Sequence, residues 1–276
     1  MTGHRAKRAL KKALKHTAAA GSALFPAPAA ATRILTYHSV GARDHEMNVL
    51  PEAFRQQMQW LAEHTSVLPV AEAAAGAPGI AITFDDGYAD ILSHAAPVLR
   101  ELGLPATLFM VADKAGNWLP HDPKTPEARL LTCGELRELN ALGVAIGAHG
   151  MTHRRLSELD ADGQRDEIMG SKHTLEDALG QEITAFAYPY GSALDFNATS
   201  VDLVREAGYR YAVTNQYGPN GPQAPCYLLR RIWIDRTDSL PMFQAKIQGR
   251  LDLLRLLDSP PGIRLRRAVN TLLGTH

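Results

Sequence analysis

The stretch Ile80-Ala81-Ile82-Thr83-Phe84-Asp85-Asp86-Gly87 decides the reading of this chain. Its five uncharged residues, rich in β-branched side chains, predict a strand buried on both faces, as in a parallel sheet. The strand runs into two adjacent carboxylates and a glycine that can make the turn. Adjacent acids in a loop ordinarily mark a solvated turn. At the end of a buried strand the same pair is costly unless a cation shares its charge.

Working outward, short apolar runs alternate with helical patterns. Strands are expected at 34–37, 80–84, 106–111, 144–147, 185–188, 211–214 and 231–234, with helices at 52–63, 89–102, 133–142, 162–179 and 199–207. This alternation predicts an α/β fold on a parallel sheet. Seven such units point to a (β/α) barrel, whose reactive groups sit at the carboxyl ends of the strands. No Gly-x-Gly-x-x-Gly follows the first strand, which argues against a dinucleotide-binding open sheet.

Two further strand ends carry chemistry. The fourth runs into Ala148-His149-Gly150-Met151-Thr152-His153. If the chain turns into a helix there, both imidazoles project from one face and can bind one ion. The fifth ends in Ala187-Tyr188-Pro189-Tyr190-Gly191. That turn either aims a backbone N–H at the barrel mouth as an oxyanion donor or is a plain proline turn with two packed tyrosines. Two His nitrogens and one carboxylate oxygen form a common zinc set that leaves a position for water and substrate.

The 276 residues are 45% hydrophobic and 21% charged, ordinary globular composition. No apolar run approaches the roughly 18 residues of a membrane span. Cys133 and Cys226 are too few for a disulfide scaffold or an all-cysteine zinc site and read as two isolated core thiols, with one disulfide as the alternative. The formal charge of zero hides a segregation: residues 1–43 hold eight Lys and Arg and no acid, and residues 245–276 hold six against two. The middle of the chain is therefore acidic, a poor nucleic-acid surface but one suited to neutral or cationic glycans.

Residues 1–31 read as a basic amphipathic tail, with Ala6, Ala9, Leu10, Ala13 and Leu14 at helical spacing among Arg and Lys. A weak secretory signal is the competing reading. Residues 32–244 are expected to form the barrel. Residues 245–276 are expected to be a helical extension, leucine-rich to Pro260-Pro261 and then basic. Weak contact of these tails with an anionic membrane is expected. A cytoplasmic or inner-membrane-peripheral location is favoured over a secreted or periplasmic one.

In order, spacing and placement, the residues resemble the polysaccharide deacetylases, family four of the carbohydrate esterases, with the chitooligosaccharide deacetylase homology domain. Residues 83–87 match the family's first motif, His149 to His153 its second and 188–191 part of its third, and the resemblance covers roughly 33–234. It implies a distorted barrel and metal-dependent removal of acetyl groups, usually from N-acetylglucosamine units. Carried over, Asp85 is the catalytic base. Asp86, His149 and His153 hold one divalent ion, Zn2+ with Co2+ or Ni2+ as alternatives, and Tyr190 offers its backbone N–H to the oxyanion. Tyr188, Pro189 and Gly191 belong to the substrate side.

Two departures stand out. The third motif usually opens with an arginine that orients the base, where this chain has Ala187; Arg231 is the candidate substitute. The family's late Leu-x-His acid is not evident, and His38, in Leu35-Thr36-Tyr37-His38-Ser39-Val40, is the candidate in its place. This Tyr-His opening resembles the exopolysaccharide-modifying branch, in which His38 would otherwise hydrogen-bond a ligand carboxylate. Hydrolysis of a small non-sugar amide and an impaired carbohydrate-binding barrel are the alternative functions.

Overall fold

The computed structural model describes residues 31–258 and 261–263. Seven parallel strands close into a barrel: β1 (Arg33–Tyr37), β4 (Ile80–Phe84), β5 (Ala106–Met110), β6 (Val144–Ala148), β7 (Ala185–Ala187), β8 (Tyr211–Tyr217) and β9 (Leu229–Trp233). Closure is made by β1, which pairs with β4 on one side (Thr36 opposite Thr83) and β9 on the other (Thr36 opposite Trp233). A small parallel pair, β2 (Ser39–Val40) and β3 (Asn48–Val49), lies beside the mouth.

Alternation along each strand divides the side chains into two cores. Leu35, Tyr37, Ile82, Phe84, Leu108, Met110 and Phe186 pack outward under the helices. Ile34, Ala81, Phe109, Ala185, Ala187, Val213 and Leu229 fill the interior, together with Leu68, Val70 and Ala73. Phe109 is a large interior ring, and Gly147 makes room for it: a Cβ there would lie 2.6 Å from two of its ring carbons. Above this apolar filling the interior turns polar, with Thr36, Thr83, Asp85, Arg231 and His149 all buried.

The expected helices form over Pro51–His64, Ala96–Leu102, Cys133–Ala141 and Ala198–Glu206, with small changes of boundary. The helix at 133 is fixed by a capping box in which Thr132 accepts from the Glu135 N–H while Glu135 reaches back to the Thr132 N–H. The expected helix 89–102 begins with a π turn, Ile91–Ala95, and the expected helix 162–179 is interrupted by another, Asp166–Gly170. β2, β3 and the helix Val70–Ala74, which plugs the barrel floor, carry too few residues for a periodic signal.

Residue 244 lies within the helix Leu240–Ile247, whose Phe243, Lys246 and Ile247 are buried. The leucines expected to form an α-helix beyond it follow 3₁₀ geometry over Asp252–Asp258, tied to the barrel by Asp252, which accepts both Nη atoms of Arg33 at 2.8 Å. Cys133 is exposed and Cys226 half-buried, both free, so the reading of two core thiols is corrected. Cys133 opens a helix on its solvent side. The basic tail expected at 1–31 and the basic element after Ile263 lie, but for Ala31, outside the described residues.

Candidate metal centre and active site

Asp85 and Asp86 leave β4 with opposite destinations. The backbone bends back on itself at Asp86, which has φ 70°, and the Gly87 N–H donates to the Asp85 carbonyl at 2.8 Å. A two-residue hydrogen bond about a positive φ is the classic γ-turn, a rare and strained conformation. It sends consecutive carboxylates into different environments. Gly87 follows at φ 92°, where a Cβ would meet the Met110 sulfur at 2.2 Å.

Asp85 is fully buried and held by Arg231 of β9. Nη1 donates to Oδ1 at 2.7 Å and Nη2 to Oδ2 at 2.6 Å, the bidentate fork geometry suited to a carboxylate. Arg231 is itself fixed by the Thr214 carbonyl (2.8 Å), the Thr83 hydroxyl (3.2 Å) and the Asn215 side-chain oxygen (2.7 Å). Burial pushes the Asp85 carboxyl up, but the Arg231 charge and its hydrogen bonds more than offset this, leaving it below the usual carboxylate range.

Asp86 faces the two histidines. Its Oδ1 lies 3.5 Å from His149 Nε2 and 3.3 Å from His153 Nε2, and no hydrogen-bond donor satisfies it. One ligand atom from each of Asp86, His149 and His153 lies within 4.8 Å of the others. His149 Nδ1 lies 2.8 Å from the Ala187 carbonyl, which places the proton on Nδ1 and presents Nε2 to the cluster. Burial lowers the His149 pKa to about 4, with the neighbouring carboxylates opposing the shift. Two imidazole nitrogens and an orphaned carboxylate oxygen are the donor set a divalent cation requires, so these residues fit one.

The histidines do not stand on a helix, as their spacing suggested. They belong to a loop that turns left-handed at Gly150 (φ 75°) and His153 (φ 66°), and this curvature brings their ring centroids to 5.0 Å. Ala187, at the position where the resembled family usually carries an arginine, supplies its carbonyl to His149, and the cation on Asp85 comes from Arg231.

Residues 188–191 contain a second γ-turn. Tyr190 has φ 59°, and the Gly191 N–H donates to the Pro189 carbonyl at 2.7 Å. The Tyr190 ring is 38% exposed, 4.7 Å from the His153 ring, with the Arg155 guanidinium 3.9 Å above it. Tyr188, expected on the substrate side, is fully buried, with its ring stacked on Phe196 at 4.2 Å. Pro189 and Gly191 are buried beneath it. His38 is buried, its Nδ1 without a hydrogen-bond partner and its ring 5.9 Å from that of Trp233, which is 40% exposed. Burial lowers its pKa, against the pull of Asp86 and Asp85.

One site residue escaped the sequence reading. Asn215 accepts from Arg231, donates its Nδ2 to the Tyr190 carbonyl at 3.0 Å and gives its backbone N–H to Gly191 at 2.9 Å. It joins Arg231 to the turn at Tyr190. Its place depends on a register shift between β8 and β9 after Val213, which leaves no mark in a strand pattern.

A closed parallel barrel with a carboxylate pair, two histidines and an arginine at its mouth defines a metal-dependent hydrolase. The family model described as polysaccharide deacetylase matches residues 72–212, and the chain belongs to that family. It is 27% identical over 225 residues to YxkH of Bacillus subtilis (strain 168), covering 78% of this chain and 76% of that protein. It is 26% identical over 204 residues to the poly-beta-1,6-N-acetyl-D-glucosamine N-deacetylase of Staphylococcus epidermidis, covering 68% of each chain. The solved structure of the deacetylase PplD from Streptococcus pyogenes shares the fold, with a TM-score of 0.68 and 24% identity over 81% of this chain and 98% of that one.

Proposed function

We propose that the protein removes N-acetyl groups from an amino-sugar polymer or oligomer of the N-acetylglucosamine type. The carrying observation is the convergence of Asp86, His149 and His153 within 4.8 Å beside an Asp85 gripped by Arg231. The N-deacetylase activity of the staphylococcal relative, which acts on poly-beta-1,6-N-acetyl-D-glucosamine, supports the substrate class. Asp86, His149 and His153 would hold the divalent ion, and Zn2+ suits two nitrogens and one oxygen. Such an ion, when bound, polarises the acyl carbonyl and lowers the pKa of water at the site.

The chain's own groups then divide the work. Asp85, ionised throughout the neutral range, accepts the proton of the attacking water on a carboxylate oxygen, each of which keeps a lone pair beyond its bond to Arg231. Arg231 fixes the direction of that carboxylate. The Tyr190 N–H donates to the developing oxyanion, its direction set by the γ-turn and Asn215. His38, with its unpartnered Nδ1, is assigned the relay to the departing amine of the proton that Asp85 takes from water. An impaired binding barrel was suggested by the missing arginine at 187; the contact of Arg231 with Asp85 supports turnover over that reading.

Acetate release from N-acetylglucosamine oligomers, with and without chelator, tests the proposal. Release that stops in chelator and returns with Zn2+ is the expected result. Release from simple amides but not from the oligomers would overturn the substrate class.

A further inference from the structure

The loop carrying His149 and His153 forms no regular structure, so its backbone polar groups need partners from elsewhere. Its carbonyls are met from one side: Ala112 N–H donates to Gly150 at 3.1 Å and Asp113 N–H to Met151 at 2.9 Å. Its amides are met from the other by Glu167, a residue with no part in the chemistry above. Glu167 Oε2 accepts from the Met151 and Thr152 N–H groups, both at 2.9 Å, and Oε1 accepts the Thr152 hydroxyl.

Glu167 is only 5% exposed, and no Lys or Arg forms an ion pair with it among the described residues. A carboxylate buried without a cation is costly, and charge-assisted bonds from backbone amides are what hold this one. Two features accommodate it. The helix widens to a π turn over Asp166–Gly170, a distortion that recurs near functional sites. Gly150 leaves room, since a Cβ there would lie 3.0 Å from Glu167 Oε2 and 3.1 Å from Pro189 Cγ.

We propose that Glu167 is a positioning residue of the metal centre, clamping the Met151 and Thr152 amides so that His149 and His153 are held over Asp86 before the ion arrives. Left to itself the loop would not keep His153 at positive φ, a conformation that non-glycine residues seldom adopt. The proposal rests on the reading that Asp86, His149 and His153 hold the ion. Groups of this kind, behind metal ligands, typically change affinity about 10–100-fold when removed.

The test uses the full chain stripped of metal, with Glu167→Ala, Glu167→Gln and Asp86→Asn compared with the parent. Zn2+ affinity is measured by competition with a chromophoric chelator, site geometry by the visible spectrum with Co2+, and thermal unfolding in chelator. Glu167→Ala is expected to bind Zn2+ about 10–100-fold more weakly, with an altered Co2+ spectrum. Should it fail to fold, the isosteric Glu167→Gln, expected to show a smaller loss, carries the test. Parental Zn2+ affinity and Co2+ spectrum in the folded variants, with only the melting temperature lowered, would overturn the proposal. A parent that binds no Zn2+, or an Asp86→Asn variant that binds as the parent does, would instead refute the underlying site.

Discussion

Arg231 grips both oxygens of Asp85, at 2.7 and 2.6 Å, across 146 residues of sequence. Neither group is exposed, so each is the condition for the other's burial. The pair occupies the interior layer above Phe109, whose ring centroid is 5.7 Å from the guanidinium carbon.

Replacing Arg231 by Ala leaves a buried carboxylate without its cation, a change that costs roughly 3–5 kcal/mol. Asp85 sits below its ordinary pKa in the folded chain, so the pair's contribution to stability is present above the unfolded value and lost as pH falls through the folded one. Without Arg231, burial dominates and the pKa rises. The acidic limb of the rate profile should move to higher pH, and Arg231→Lys, lacking the fork, should restore it only in part. A limb that stays in place would show that Arg231 does not act through Asp85.

Asp85→Asn should retain Zn2+ while losing about 10²–10⁴ in rate, the usual worth of a general base. Metal analysis together with acetate release decides it. Parental turnover would remove Asp85 from the chemistry.

Asn215→Ala should slow turnover by about tenfold, equivalent to roughly 1.4 kcal/mol of the barrel-mouth hydrogen bonding it supplies. The loss should appear in kcat, because Asn215 touches the Arg231 side chain and the Tyr190 carbonyl and no metal ligand. Zn2+ affinity, measured alongside, should be unchanged.

The pH dependence of stability without metal should carry the mark of His149. Burial holds it at about 4, below the roughly 6.5 of an unfolded histidine, so between these values the unfolded chain binds more protons. Stability therefore falls as pH drops through that window. Denaturant titrations at pH 7, 5.5 and 4.5 should show a smaller pH loss in His149→Asn than in the parent, and equal losses would refute the assignment.

Gly147→Ala places a methyl 2.6 Å from Phe109 ring carbons and 3.0 Å from the Ala185 carbonyl. Overpacking of this kind costs about 1–3 kcal/mol, so the melting temperature should fall. Pairing it with Phe109→Leu should recover part of the loss, and additive losses would show that the two positions do not compete for the same space.

The sequence alone determined the barrel, because most of the buried strands are short apolar runs, such as Ile80–Phe84 and Val144–Ala148, whose ends are marked by polar residues, a pattern that survives without knowledge of any neighbour. It also placed Asp85, Asp86, His149 and His153 at strand ends, since adjacency and four-residue spacing are local properties. Their division into a base and three ligands came only from the family resemblance, and the tertiary structure supplied its geometry. The γ-turn at Asp86, the left-handed loop at His153 and the register shift that brings Asn215 to Arg231 all use backbone conformations that no residue type compels. Glu167 carried a signal that only burial makes legible, a charge on the helix face that also carries Ile168, Ser171 and Leu175. Arg231 and Asp85 meet because closure sets β9 beside β1 and β1 beside β4, and a contact across a closed sheet depends on strand order, which local sequence does not encode.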